Sequence, residues 1–178
     1  EAILAGESGE TRQQMMEILV ALGKVFSAER LVPIRSAQVS GASYKTIGEA
    51  GLEWLSLLDA RVSVPTVLNP VGMDRFRWRE MGISPDFAKK QEAVIDAYAR
   101  LGVKLECTCT PYYIYQTRFG DHLAWSESSA VAYANSVIGA RTNREGGPSA
   151  LAAAIIGKTP EYGLHHVAER KPQVVVTV

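Results

Sequence analysis

Apolar positions recur along this chain with two periods, one helical and one extended. Met15, Ile18, Leu19 and Leu22 form an i, i+3, i+4, i+7 stripe behind Ser8 to Thr11, which predicts a first helix ended by Gly23. Leu31 to Ile34 reads as a short extended segment running into Ser36 to Lys45, a loop of small residues. From about Thr46, Ile47, Leu52, Leu55 and Leu58 mark the face of a second helix. Arg61 to Val67 alternates as a strand does and stops at the turn signal Asn69 to Gly72. Ser84, Pro85 and Asp86 supply an N-cap, a first-turn proline and a first-turn acid for a third helix. That helix carries Phe87, Val94, Ala97 and Leu101 and ends at Gly102. Val103 to Thr108 is the next predicted strand. Ser126 to Val137 and Pro148 to Ile156 read as Ala-rich helices, the second closed by Gly157.

Strands alternating with helices of this length predict an α/β fold, a mostly parallel sheet flanked by helices. With 178 residues, no repeats and no internal linker, 1–178 reads as a single domain large enough to bury a core. Glu1 stands where an initiating Met would be, and Pro172 to Val178 is a buried-strand pattern in need of neighbours. Both features predict a portion of a longer subunit, the alternative being a processed or trimmed complete domain.

Composition narrows the functional classes. Apolar residues make up 47% and charged residues 21%, as in a globular protein. Lys plus Arg equals Asp plus Glu at 19 each, so no net field draws nucleic acid or a membrane surface. The only two cysteines, Cys107 and Cys109, are too close in sequence for an ordinary structural disulfide and point to a reducing compartment. With no signal peptide and no apolar run long enough for a membrane span, the expected location is cytoplasmic.

Ligands of open α/β sheets collect at the carboxyl ends of the strands. Loops leave predicted strands there at Ser36 to Lys45, Asn69 to Asp74 and Cys109 to Ser129, and all are rich in small or polar residues. In the first, Gly41, Ala42 and Ser43 allow close backbone approach to an anion, or simply form a turn capping the next helix. Asn69 and Pro70 have the same two readings. Cys109, ahead of Thr110 and Pro111, is either a metal ligand at a strand end or a small buried hydrophobe. Strand alternation places Cys107 on the same face. Asp121, His122, Glu127 and Ser128 add carboxylates, an imidazole and a hydroxyl, although an isolated His usually serves a structural hydrogen bond. Arg141 to Ser149 carries two arginines and two glycines into a helix N-terminus, the strongest anion-binding signal. The competing reading pairs Arg144 with Glu145 above the helix cap. The run is neither a P-loop nor a dinucleotide fingerprint. No His stands beside Cys109 in a nucleophile motif, which disfavours a thiol enzyme.

Ser36 to Gly48, Thr108 to Tyr112 and the long run Trp125 to Ser149 resemble the aconitase X family, and the likeness covers nearly the whole chain. Asn69 to Asp74 and Trp78 to Ile83 resemble its archaeal branch, acting on 5-phosphomevalonate, more than the bacterial cis-3-hydroxy-L-proline dehydratases. The resemblance implies an aconitase-like hydro-lyase that removes water from (R)-5-phosphomevalonate to give trans-anhydromevalonate 5-phosphate for isoprenoid precursors. It implies a 4Fe-4S cluster with one open iron as Lewis acid, Cys109 as a cluster ligand, and Gly41, Ala42, Ser43, Asn69, Pro70, Glu127 and Ser128 as substrate-binding positions. Arg144 is added from its charge at the helix N-terminus. In the family the other cluster cysteines lie in the remainder of the large subunit, and a separate small subunit completes the site. This chain is therefore expected to supply one thiolate and to be inactive alone. The alternatives are the same chemistry on cis-3-hydroxy-L-proline and a non-catalytic domain that binds an organic anion or a partner.

Overall fold

The structure is a computed structural model describing residues 2–171 and Val174. The apolar strand expected over 172–178 thus lies outside the described residues, Val174 excepted. Helix α1 spans Glu10–Val25, β1 Leu31–Pro33, β2 Ala37–Val39, α2 Tyr44–Leu57 and β3 Thr66–Leu68. Helix α3 follows at Pro85–Arg100, α4 at Ser128–Tyr133, α5 at Gly147–Ile156 and β4 at Lys158–Pro160. Among the described residues no helix is long and apolar enough to cross a membrane.

Helix α5 is the centre of the core. Every residue from Ala150 to Ile156 is buried, as expected of a helix that is apolar all round. Against it lies α1, whose Met15 and Leu19 are fully enclosed. Each such side chain contributes about 1.5–3 kcal/mol of burial. Gly23 does not end α1. It lies inside the helix, with Pro160 of β4 packed beside it at ordinary contact distance, and the helix runs on to Val25. In α3 the sequence signals hold: Ser84 Oγ accepts the Phe87 N–H at 3.2 Å, Pro85 opens the helix, and Gly102 follows in the left-handed region. The C-terminal glycine of α5, Gly157, is left-handed as expected.

Among the described residues the predicted mostly parallel sheet reduces to four three-residue strands in two two-stranded sheets. Strands β1 and β4 pair antiparallel, Leu31 opposite Pro160. Strands β2 and β3 pair parallel, Ala37 opposite Thr66. Single parallel bridges extend the second pair: Ala124 joins Ala37 on one side, and Lys104 joins Val67 on the other. Beyond Ala124, parallel bridges link His122 to Arg141 and Trp125 to Arg144. The expected strand over 61–67 is ordered as a strand only from Thr66, and Val103 to Thr108 holds only the bridge at Lys104. The physical interruption is Cys107, whose φ of 46° is left-handed and breaks the alternation. The run Ser36 to Lys45, expected as a loop, contains β2 and the start of α2, leaving a short connection at Ser40 to Ser43.

Because this set of pairings is parallel, the carboxyl ends of β2, β3, the Val103 segment, the 122–125 segment and the 141–144 segment fall on one side. Beyond α4 the helix widens into a π turn, Ala134–Ile138, closed by left-handed Gly139 whose N–H reaches the Ala134 carbonyl. Asn135 holds that turn, donating to the Val131 and Thr142 carbonyls at 2.8 Å each.

Candidate active site

Four segments meet at the shared carboxyl end, and one buried side chain on the first bonds to the other three. Gln38, in the middle of β2, is fully enclosed. Its Nε2 donates to the Thr108 carbonyl at 2.9 Å and to Asn69 Oδ1 at 3.3 Å, while its Oε1 accepts the Glu127 N–H at 3.1 Å. Asn69 Nδ2 in turn donates to Glu127 Oε2 at 3.0 Å. The result is a closed ring of hydrogen bonds, Gln38 to Asn69 to Glu127 and back, with a spur to the residue preceding Cys109.

Glu127 is the N-cap of α4, and its carboxylate also accepts from Ser128 Oγ at 3.2 Å and the Ser129 N–H at 3.4 Å. The Asn69 hydrogen bond is the largest of the effects that hold this carboxyl below its ordinary range, against the opposing pull of partial burial. Glu127 is therefore ionised at neutral pH. Cys109 is half-buried near it; burial first, and then the Glu127 charge, push the thiol up. After Cys109, Pro111–Tyr113 forms a 3-10 turn, and Tyr112 stacks on Tyr133 of α4 with ring centroids 4.1 Å apart. That stack clamps the cysteine loop to the helix that Glu127 caps.

The first loop is held from two sides. Gln91 of α3 donates to the Ala42 carbonyl at 2.8 Å and accepts the Tyr44 N–H at 2.9 Å. Gly147, at the start of α5, lies so close that a Cβ there would sit 2.5 Å from the Ser40 carbonyl oxygen. Within the loop Gly41 is left-handed with open space around its Cα, and Ser43 makes no side-chain capping bond. Gly72 in the second loop approaches Ser43 Oγ so closely that any side chain would collide with it. The loops of β2 and β3 are thus packed on each other.

Not every expected residue joins this assembly. Pro70 is exposed and lines a neighbouring cavity with Arg75 and Cys107. The left-handed turn at Cys107 separates the two thiols, so the expected common face is a correction: Cys107 packs on the main core and lines that cavity. Arg144 has its backbone beside Trp125 at the carboxyl end, but its side chain is exposed and makes no ion pair among the described residues. Nor does it pair with Glu145, whose buried carboxylate turns inward to accept from Ser149 Oγ at 2.6 Å and Thr159 Oγ1 at 3.4 Å. His122 sits at the amino end of its segment, with Nδ1 2.8 Å from Nδ1 of buried His165, a structural pairing away from the loops.

Gln38 and Gln91 were not candidates from sequence. Each occupies a position whose neighbours are apolar: Gln38 between Ala37 and Val39, and Gln91 on the α3 stripe with Ala88, Val94, Ile95 and Tyr98. A polar amide in the apolar stripe of α3 is the signal that finds Gln91; Gln38, in a strand buried on both faces, breaks no such pattern.

Among the described residues no three His, Cys, Asp or Glu side chains gather to hold a metal ion. Within the described residues Cys109 offers this site a single thiol, fewer donors than an iron–sulfur cluster takes.

The family model for the aconitase X first domain matches residues 1–168. The phosphomevalonate dehydratase large subunit of Methanosarcina mazei is 60% identical over 180 residues, all of this chain and 45% of that protein. The corresponding subunit of Methanothermobacter thermautotrophicus is 61% identical over 182 residues, again all of this chain and 46% of that one. The crystal structure of Thermococcus kodakaraensis aconitase X in its holo-form superposes with a TM-score of 0.87 at 55% identity, covering 96% of this chain and 43% of that one. The chain spans a little under half the length of the curated relatives it matches. On the family model, the identities and the shared fold together, this chain belongs to the aconitase X family.

Proposed function

We propose that this chain is the N-terminal part of the catalytic large subunit of a dehydratase acting on (R)-5-phosphomevalonate. Residues 1–178 are read as one α/β unit working in a reducing cytoplasm, with the remainder of the large subunit and a small subunit as partners. The observation that carries the reading is the assembly of Cys109, Asn69 and Glu127 around Gln38 beside the Gly41 to Ser43 loop. The 60% identity to a phosphomevalonate dehydratase large subunit supplies the substrate.

Cys109 would hold one corner of a 4Fe-4S cluster. When bound, that cluster supplies a Lewis acid for the departing hydroxyl, a poor leaving group otherwise. The chain's own residues bind and orient. Asn69 Nδ2 keeps the Glu127 carboxylate ionised, so Glu127 is an acceptor for a substrate hydroxyl. Ser43 Oγ, free of capping duty, and the open backbone at Gly41 offer donors to a carboxylate. Ala42 and Pro70 shape the walls, Ser128 steadies Glu127, and exposed Arg144 is assigned to the phosphate.

The test uses the full-length large subunit reconstituted anaerobically with its small subunit, iron and sulfide. Dehydration of 5-phosphomevalonate that disappears together with bound iron in Cys109→Ala is the expected result. Iron-loaded complex active only on cis-3-hydroxy-L-proline overturns the substrate, and full iron content in Cys109→Ala overturns the ligand.

A further inference from the structure

We infer that Gln38 is a positioning residue of this site, setting the placement of the Cys109 loop relative to the Asn69–Glu127 pair; the inference rests on the proposed function above. The amide cannot be turned over. Its two fixed partners are of opposite kind: the Glu127 N–H can only donate, and the Thr108 carbonyl can only accept. Oε1 must therefore face Glu127 and Nε2 must face Thr108. The second N–H of Nε2 then falls on Asn69 Oδ1 and orients that amide too, which presents Nδ2 to the Glu127 carboxylate. One rigid choice at Gln38 thus fixes two substrate-facing groups and the residue next to the cluster thiolate.

Backbone bonds make the anchor stiff. The Gln38 N–H donates to the Ala124 carbonyl at 2.9 Å, and its own carbonyl accepts from Ser126 Oγ at 2.7 Å. Residue 38 is therefore tied on both its main chain and its side chain to the segment that delivers Glu127. With Oε1 and both Nε2 hydrogens engaged, this buried amide is fully satisfied, and an apolar residue in its place would leave the Thr108 carbonyl and the Glu127 N–H unpaired. Its placement is explained by geometry at the site.

The test compares wild type with Gln38→Met, which keeps the length and removes the hydrogen bonds, and Gln38→Glu, which keeps the acceptor for Glu127 and removes both donors. All are studied as the reconstituted two-subunit enzyme. Hydrogen exchange should quicken in peptides covering 106–110 and 125–129 while 85–100 of α3 stays as protected as in wild type. Turnover per bound iron should fall between about tenfold and a hundredfold in both variants, as expected for loss of two or three bonds and displacement near 1 Å. KM should change less than kcat. Uniform loss of protection, loss of the folded protein in both variants, or a fall in activity matched one-for-one by lost iron would make Gln38 a core residue and overturn the inference. Wild-type exchange and wild-type turnover per iron in the variants would do the same. A wild-type enzyme inactive on 5-phosphomevalonate refutes the substrate reading instead, and leaves the exchange result to decide on Gln38.

Discussion

The same chemical change at two glycines should move stability in opposite directions. Gly23 lies in α1, and a Cβ there would meet Pro160 and Ala28 carbons at 3.6–3.8 Å, ordinary contact distances. Gly23→Ala therefore gains helix propensity, about 0.5–1 kcal/mol, without a steric penalty. Each kcal/mol is worth roughly 2–4 °C in Tm for a chain of this size and about half that for one twice as long, so a rise of about one degree is expected in the full-length protein. Gly147 is the opposite case. It opens α5, and its Cβ would sit 2.5 Å from the Ser40 carbonyl oxygen. That neighbour is backbone, tied to the loop and unable to swing aside as a side chain would. Overpacking of this sort costs about 1–3 kcal/mol, more than the small propensity gain at a first-turn position. Gly147→Ala should lower Tm and, by pushing Ser40 to Ser43, raise KM for the substrate. Thermal scans of both variants in the full-length protein, beside steady-state kinetics, give the answer. A Tm that rises in both would mean that propensity alone governs, and the close approach of α5 to the β2 loop would be wrong.

Further predictions concern single groups. Ser84→Ala removes the cap on α3 and should cost about 1 kcal/mol in denaturant unfolding, with Ser84→Asp restoring most of it. His165, fully buried, has its pKa pushed down to about 3 by burial, with the neighbouring His122 adding to the effect. The unfolded chain binds a proton below about 6.5 that the folded chain refuses, so stability should fall as pH drops through that window, by about 1.4 kcal/mol per unit. His165→Asn, whose amide can still face His122, should flatten that slope in pH-dependent melts, and an unchanged slope would contradict it. Burial pushes the Glu145 carboxyl up, so its contribution is most favourable when protonated at low pH and is lost as pH rises through the raised value. Glu145→Gln should therefore gain on wild type at pH 7 and lose that advantage near pH 4, read from paired thermal melts.

Local signals were the most legible part of this fold. Ser84, Pro85 and Asp86 announce α3 because capping chemistry is read within one turn, and Gly157 closes α5 for the same reason. Gly23 misleads because a glycine that ends a helix and one carried inside its last turns look alike in sequence. Strand lengths are less legible. Alternation in Arg61 to Val67 and Val103 to Thr108 carries no information on whether a neighbour pairs at each residue, and nothing near Cys107 announces its left-handed turn. The convergence of loops was visible because parallel pairing sends every carboxyl end the same way. Gln38 was hidden by its setting. β2 is buried on both faces, so a polar residue there breaks no alternation, and its partners lie 31, 70 and 89 residues away.

The π turn at Ala134–Ile138 makes chain length at this point a matter of phase. A turn closed over five residues holds one more than a turn closed over four. Deleting that residue would let α4 run on as a regular helix, but the chain leaving it would be rotated by about 100°. Arg141 and Arg144 would then miss His122 and Trp125, and the start of α5 would swing away from Ser40. Ser136 and Val137 face solvent and tolerate exchange of side chain. Their number does not: positions open to almost any residue are closed to insertion and deletion.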